Sequence, residues 1–202
     1  MKLMALVGSP RKNSNTDILI DQVIAGAKSK REIETEKIYI YEANIKYCTG
    51  CMSHTVLGGS KECPLKDDMK DILKRMKESD AFIFGTPNHG RTISAGLTNF
   101  ICRLFPVNHW NFIYDDEGKP LSATVTSDLG GKKVVSVISQ GDPWPSSSAL
   151  VMKVLDDNLK DLKLEKVGEV FSMNNLRIGD VKDKKEDMSL AFAQGERLAL
   201  CV

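Results

Sequence analysis

"KLMALVG" (residues 2–8), followed by "SPRKNSNT" (9–16) and "DILIDQVIAGAKS" (17–29), carries the clearest signal of chain architecture. The first seven residues are a nearly unbroken apolar run, the pattern of a strand covered on both faces. Downstream, Ile18, Leu19, Val23 and Ala27 recur near helical spacing, which predicts a helix over 15–29. The segment between is a turn rich in hydroxyls and amides. A doubly covered strand feeding a helix is the first half of a βαβ unit, in which successive strands run parallel through right-handed crossovers.

The same alternation repeats along the chain. Strands are predicted over 36–43 ("EKIYIYEA"), 80–87 ("DAFIFGTP"), 132–141 ("KKVVSVISQG") and 165–173 ("EKVGEVFSM"), with helices over 67–79, 94–105, 146–162 and 184–200. Met69, Ile72, Leu73 and Met76 share one helical face behind an Asp cap. Leu150, Val151, Val154, Leu155 and Leu159 form the stripe of the 146–162 helix, which opens on serine caps. This order predicts one α/β domain over 1–202. It is a flavodoxin-like three-layer sandwich with a five-stranded parallel sheet in the order 2-1-3-4-5. Ligands in such folds bind beyond the carboxyl ends of the strands, where strand order reverses. One connection is long: residues 106–131 show no helical pattern, carry Trp110, Phe112 and Tyr114, and hold a hairpin-turn signal in "DDEGKP". It is read as a flap.

Composition narrows the function classes. The chain has 202 residues, 42% hydrophobic and 27% charged, which is ordinary for a globular domain. A net charge of +1 gives no bulk attraction to nucleic acid or to an anionic membrane surface. The opening apolar run breaks at Gly8-Ser9-Pro10, too early for a bilayer span or a secretory signal. A cytoplasmic setting is therefore expected. Thiols stay reduced there, and clustered cysteines read as metal ligands or redox groups before disulfides.

Three loops fall at the carboxyl ends of strands one, three and four. In the first, Ser9, Ser14, Asn15 and Thr16 supply small donors at a helix N-terminus, and Arg11 adds a charge. It has neither the Gly-Lys-Ser/Thr of a Walker loop nor the three glycines of a dinucleotide fingerprint. It suits one terminal phosphate, and it also reads as a capped helix start. The second, "GTPNHGRTISAG" (85–96), offers Asn88 and His89, and Ser94 as a helix cap. The third, "SQGDPWPSSS" (139–148), offers Gln140 and Gly141 ahead of a stiff Pro-Trp-Pro turn. A separate cysteine-rich loop (47–66) has the spacing Cys48-x2-Cys51-x2-His54-x8-Cys63. An iron–sulfur site, a zinc site, a Cys48–Cys51 redox pair and a loop without metal all stay open on this spacing. Cys102 is read as a core residue beside Phe100, Ile101 and Leu104.

Four stretches, "GSPRKNSNT", "CTGCMSHTVLGGSKECPLKDDM", "GTPNHGRTISAGLTNFICRL" and "VSVISQGDP", resemble the NADPH-dependent FMN reductase group of the flavodoxin-like superfamily. More narrowly, they resemble its iron–sulfur flavoproteins. The resemblance implies an FMN-dependent oxidoreductase fed by NAD(P)H or a ferredoxin-like donor and assembled as a homodimer or homotetramer. A flavin-binding electron carrier with no substrate of its own is the alternative. It implies that Ser9, Arg11, Asn13, Ser14, Asn15 and Thr16 hold the FMN phosphate. Pro87, Asn88, His89 and Gly90 would flank the ring, and Gln140 and Gly141 would close on it. No side chain is assigned as a general acid or base. His89 stands where relatives commonly carry an aromatic residue, which gives it a place to modulate the flavin. For a 4Fe–4S cluster, the resemblance gives Cys48, Cys51 and Cys63 as ligands, with His54 in the place of the third cysteine.

Overall fold

The computed structural model describes residues 1–53 and 62–202. His54, the histidine of the cysteine spacing, lies outside the described residues. The elements in chain order are β1 (Lys2–Val7), α1 (Asn15–Lys28), β2 (Glu34–Tyr39), α2 (Met69–Glu78), β3 (Ala81–Pro87) and α3 (Ala95–Cys102). They continue with β4 (Asn108–Tyr114), β5 (Pro120–Ser127), β6 (Lys133–Ser139), α4 (Ala149–Asp161), β7 (Glu165–Ser172) and α5 (Lys185–Cys201).

Five strands form one parallel sheet in the order β2-β1-β3-β6-β7. With the β4–β5 pair set aside, this is the flavodoxin-like 2-1-3-4-5. The alternation of β1 shows why its sequence is apolar throughout. Leu3, Ala5 and Val7 point into a core shared with Leu19, Ile20 and Val23 of α1 and with Ala191 and Leu198 of α5. Met4 and Leu6 point into the opposite core, against Met69, Ile72 and Met76 of α2, Phe100 of α3 and Leu155 of α4. Successive strand side chains alternate faces, so a strand with helices on both sides has no polar register. Each fully buried Leu, Ile, Val, Met or Phe contributes about 1.5–3 kcal/mol relative to exposure.

Several local expectations shift. The second strand ends at Tyr39, although Ile40 beyond it stays buried. Leu150, placed in the apolar stripe of the fourth helix, is 54% exposed, because α4 starts at Ala149 and turns that position to solvent. Ser148 makes no side-chain cap; its hydroxyl bonds Gln140 Oε1 instead. Residues 106–131 contain an antiparallel hairpin, β4–β5, outside the main sheet. It reverses within "DDEGKP": Asp115 Oδ1 accepts from the N–H groups of Glu117 (3.0 Å) and Lys119 (2.7 Å), and Gly118 has φ +78°. Trp110, Phe112 and Tyr114 line one face of β4: the first two rings stack at 6.1 Å between centroids, and Tyr114 lies tilted against Phe112 at 6.2 Å. Among the described residues no helix is long and apolar enough to cross a membrane.

Candidate functional site

A cleft of about 150 Å³ opens at the carboxyl ends of β1, β3 and β6. Of the twelve cofactor residues named from sequence, ten line it: Ser9, Arg11, Ser14, Asn15, Thr16, Pro87, Asn88, His89, Gln140 and Gly141. Asn13 and Gly90 do not. They sit in the turns, with φ +54° and +61°.

The loop after β1 is held by a reciprocal cap. Ser14 Oγ accepts from Asp17 N–H (3.3 Å), and Asp17 Oδ2 accepts from Asn13 N–H (2.9 Å). The Asp17 carboxylate is itself buried and is balanced by Lys37 (2.6 Å) and the Tyr39 hydroxyl (3.3 Å). The helical ladder starts with Ile18 N–H on the Ser14 carbonyl (2.9 Å). That leaves the N–H groups of Asn15 and Thr16 as the first-turn donors for an anion. Thr16 is 1% exposed, and its Oγ1 is buried with no hydrogen-bond partner. The Asn15 side chain is committed elsewhere. Its Nδ2 donates to Arg177 O (2.8 Å), and its Oδ1 accepts from Gly179 N–H (3.0 Å) and Val181 N–H (3.2 Å). Asn15 thus ties the loop after β7 to the cleft and has its backbone N–H left for a ligand.

The other two loops meet this one at close range. A Cβ on Gly8 would stand 2.6 Å from Gly85 O, and one on Gly85 would stand 2.4 Å from Ile20 Cδ1. Only glycine lets the ends of β1 and β3 and helix α1 approach this far. Ser94 caps α3 and also donates to Gly8 O (2.5 Å), which joins the second loop to the first. His89 and Thr92 exchange backbone bonds (3.0 and 3.3 Å) around Gly90 and Arg91, both at positive φ. The tight turn presents His89 beside Arg11. Partial burial and the Arg11 charge both push the imidazole below its ordinary range, toward the neutral form.

Gln140 organises the third loop. Its Nε2 donates to Trp144 O (2.8 Å) and to the main-chain and side-chain oxygens of Asp142 (3.1 Å each), and its Oε1 accepts from Asn88 Nδ2 (3.2 Å). Its side chain is spent on shaping the cleft wall. Ser139, Asn175 and Leu176 also line the cleft and were missed. The rule that sites lie beyond strand carboxyl ends, applied to "NNL" (174–176) after β7, is the signal that could have found the last two.

The described cysteines and this cleft share no lining residue. All five cysteines are free thiols. Cys48, Cys51, Cys63 and Cys102 line a single small cavity of about 20 Å³. Cys102 is therefore not a fully buried core residue: α3 ends with it, it is half-buried, and it lines this cavity with the loop cysteines. Among the described residues no three His, Cys, Asp or Glu side chains are gathered closely enough to hold a metal ion. Hydrogen bonds from Ser53 lower the Cys51 thiol. Burial and then the nearby Cys48 raise the Cys102 thiol. At the base of the loop, Arg103 and Asp67 form an ion pair with side chains 2% and 0% exposed. Burial alone would raise the Asp67 carboxyl. Arg103 and the N–H groups of Lys46 and Met69 overcome that and hold it below its ordinary range.

The model of the family described as NADPH-dependent FMN reductase matches residues 1–140. An iron–sulfur flavoprotein of Archaeoglobus fulgidus is 34% identical over 54% of this chain and 48% of its own. One of Methanocaldococcus jannaschii is 36% identical over 53% of each. The match therefore spans about half the length of these curated relatives. An FMN-dependent NADH-azoreductase of Bacillus anthracis, solved in complex with FMN, superposes with a TM-score of 0.69 over 98% of this chain and 97% of that one. At 15% identity that likeness speaks for the fold alone.

Proposed function

The chain belongs to the NADPH-dependent FMN reductase family, and from that premise we propose that it is an FMN-dependent oxidoreductase. It moves electrons from NAD(P)H, or from a ferredoxin-like donor, to a small acceptor such as a flavin, a quinone, an oxygen species or a metal complex. The observation that carries this reading is Thr16 Oγ1, a buried hydroxyl without a partner at the N-terminus of α1, inside the cleft where the strand-end loops meet. Native buried hydroxyls are nearly always hydrogen-bonded, so this one calls for a ligand. The helix N-terminus and Arg11 make that ligand an anion. A cleft of about 150 Å³ is smaller than usual for a whole cofactor, and fits one end of a larger ligand, such as the phosphate of FMN.

In this reading Ser14, Thr16 and Arg11, with the first-turn N–H groups, hold the phosphate. Pro87, Asn88 and His89 border the ring on one side and Gly141 on the other. Bound FMN supplies hydride acceptance and electron release, and the protein supplies binding and orientation. Neutral His89 can donate or accept one hydrogen bond at the ring edge, according to tautomer. Asn15, Gln140 and Asn88 are positioning residues that fix the three loops. The same reading puts this reaction in the cytoplasm.

A homodimer or homotetramer belongs to the same reading. An isolated two-stranded hairpin is marginal in water, and β4–β5 leaves Trp110 and Tyr114 36% and 48% exposed on one aromatic face. A second copy of the chain is the proposed cover.

The test is an FMN titration of the apoprotein followed by steady-state NAD(P)H oxidation. One FMN bound per chain and pyridine-nucleotide turnover with a quinone or flavin acceptor are expected. Failure to take up FMN overturns the proposal. Uptake without turnover would replace it with the electron-carrier reading.

A further inference from the structure

Asn175 follows the last strand, beyond residue 140 where the family match ends, and it lines the cleft. Among the described residues, eight buried side-chain nitrogen or oxygen atoms have no hydrogen-bond partner, and three of them belong to this one cleft: Thr16 Oγ1, Asn88 Oδ1 and Asn175 Oδ1. The Thr16 hydroxyl can serve an anion. An amide oxygen only accepts, so an anion offers the two asparagines nothing. We propose that Asn175 and Asn88 are specificity residues, whose amide oxygens accept hydrogen bonds from O–H or N–H groups that the ligand carries beside its phosphate. This deepens the flavin reading and rests on it.

Hydrogen-bond partners fix which end of each amide faces the protein. Ser172 Oγ donates its one proton to the Asp187 carboxylate (2.5 Å), which only accepts. Ser172 Oγ is then the acceptor for Asn175 Nδ2 (2.8 Å), and the oxygen is the end of Asn175 left over. Asn88 Nδ2 donates to the Ser147 carbonyl (3.0 Å) and to Gln140 Oε1 (3.2 Å), which leaves its oxygen over in the same way. The backbone around Asn175 is equally tied. Its N–H donates to Gln140 O (2.9 Å), and Asn174 N–H donates to Asp142 O (3.0 Å), so the loop after β7 is joined to the third loop. Asn15 Nδ2 reaches the Asn175 carbonyl at 3.4 Å from the start of α1. Lys184 Nζ donates to the carbonyls of Met173 and Asn174. Asn175 is 7% exposed, so its one unsatisfied atom is held in place before any ligand arrives.

The cleft therefore asks for two kinds of chemistry in one ligand. Arg11, Thr16 and the first-turn N–H groups donate, and suit phosphate oxygens. Asn88 and Asn175 accept, and need a donor. A plain alkyl phosphate answers the first set and leaves the second unpaired. A phosphate ester with hydroxyls along its chain, or with an imide N–H on its ring, answers both. FMN carries each kind of donor, on the ribityl chain and at ring N3. A site built around buried polar groups discriminates against an analogue that lacks the matching donor.

The experiment titrates the full chain as apoprotein, wild type and N175L, with FMN and two analogues. One is 3-methyl-FMN, and the other carries its phosphate on a hydroxyl-free pentyl chain. Inorganic phosphate is measured as a competitor for each protein. Wild type is expected to bind at least one analogue about three- to tenfold more weakly than FMN, the worth of one neutral hydrogen bond. The analogue that loses affinity names the donor. N175L is expected to lose about the same factor for FMN, to lose nothing further with that analogue, and to keep its phosphate competition constant. Unchanged FMN affinity in N175L overturns the inference, and so do losses that multiply. Equal losses for FMN and phosphate would make Asn175 a brace for the loop and overturn it as well. Should N175L fail to fold by circular dichroism, wild type with the two analogues decides: a loss for one sustains the inference, and affinities equal to that of FMN end it. A wild type that takes up no FMN ends the flavin reading and this inference with it. FMN bound alike by both proteins ends this inference alone.

Discussion

Thr16→Val tests the flavin site through two effects of opposite sign. The substitution keeps the β-branched shape and the Cγ2 methyl that sits against Gly85, where a built Cβ would lie 3.1 Å away. It replaces only Oγ1, the hydroxyl oxygen that is buried and unpartnered. In the apoprotein that oxygen gives up its bond to water for nothing, a cost of about 1–3 kcal/mol. Valine removes the cost, so the apoprotein should hold its stability or gain up to about 2 kcal/mol. With FMN bound, the same oxygen would donate to a phosphate, and hydrogen bonds to charged groups are worth about 1.5–3 kcal/mol. FMN affinity should therefore fall roughly 10- to 150-fold. Urea unfolding of the apoprotein and fluorescence titration with FMN measure the two arms. A variant less stable by more than about 1 kcal/mol and unchanged in FMN affinity would make Thr16 ordinary packing and end its assignment to the phosphate.

Three further outcomes follow from named contacts. Asp67→Asn leaves the buried Arg103 charge uncompensated and should cost about 3–5 kcal/mol at pH 7, a fall of about 6–20 °C in Tm for a chain of this size. The Asp67 carboxyl is lowered in the folded chain, so its stabilisation is complete above its unfolded value of 3.8 and disappears as pH falls through the lower folded value. The gap between wild type and variant should thus close in acid, and a gap that stays constant with pH would count against the ion pair. The His89 imidazole should titrate below 6.5 by proton NMR and move up in R11A, since the Arg11 charge contributes to its depression; no movement would remove Arg11 from the cleft's electrostatics. Replacing Trp110 and Phe112 together by serine should shift the assembly toward monomer by light scattering at micromolar concentration, with FMN uptake retained; an unchanged mass would assign the aromatic face to another role.

The layer order is legible in the sequence alone. Apolar runs such as 2–8 and 80–87, each followed by a helical stripe, point to a parallel sheet covered on both faces, and five such strands favour the order 2-1-3-4-5. The same pattern also placed the three strand-end loops, because the rule for ligand position depends on connectivity and not on side-chain detail. What each residue in those loops does is a matter of three-dimensional partners. Asn15 and Gln140 look like ligand donors in the sequence, yet in the folded chain their side chains are bound to the 175–181 loop and to Trp144, while Thr16, equally polar, keeps a buried oxygen free. Asn175 and Leu176 enter the cleft from after the last strand, more than twenty-five residues beyond the third loop. The turn of the hairpin at 108–127 was legible in "DDEGKP", but that its two strands pair outside the main sheet was decided only in three dimensions. The cysteines show the division most clearly. Spacing relates only residues close in the chain, and it offered His54. Cys102 lies 39 positions past Cys63, and only the Asp67–Arg103 clamp brings helix and loop to one cavity.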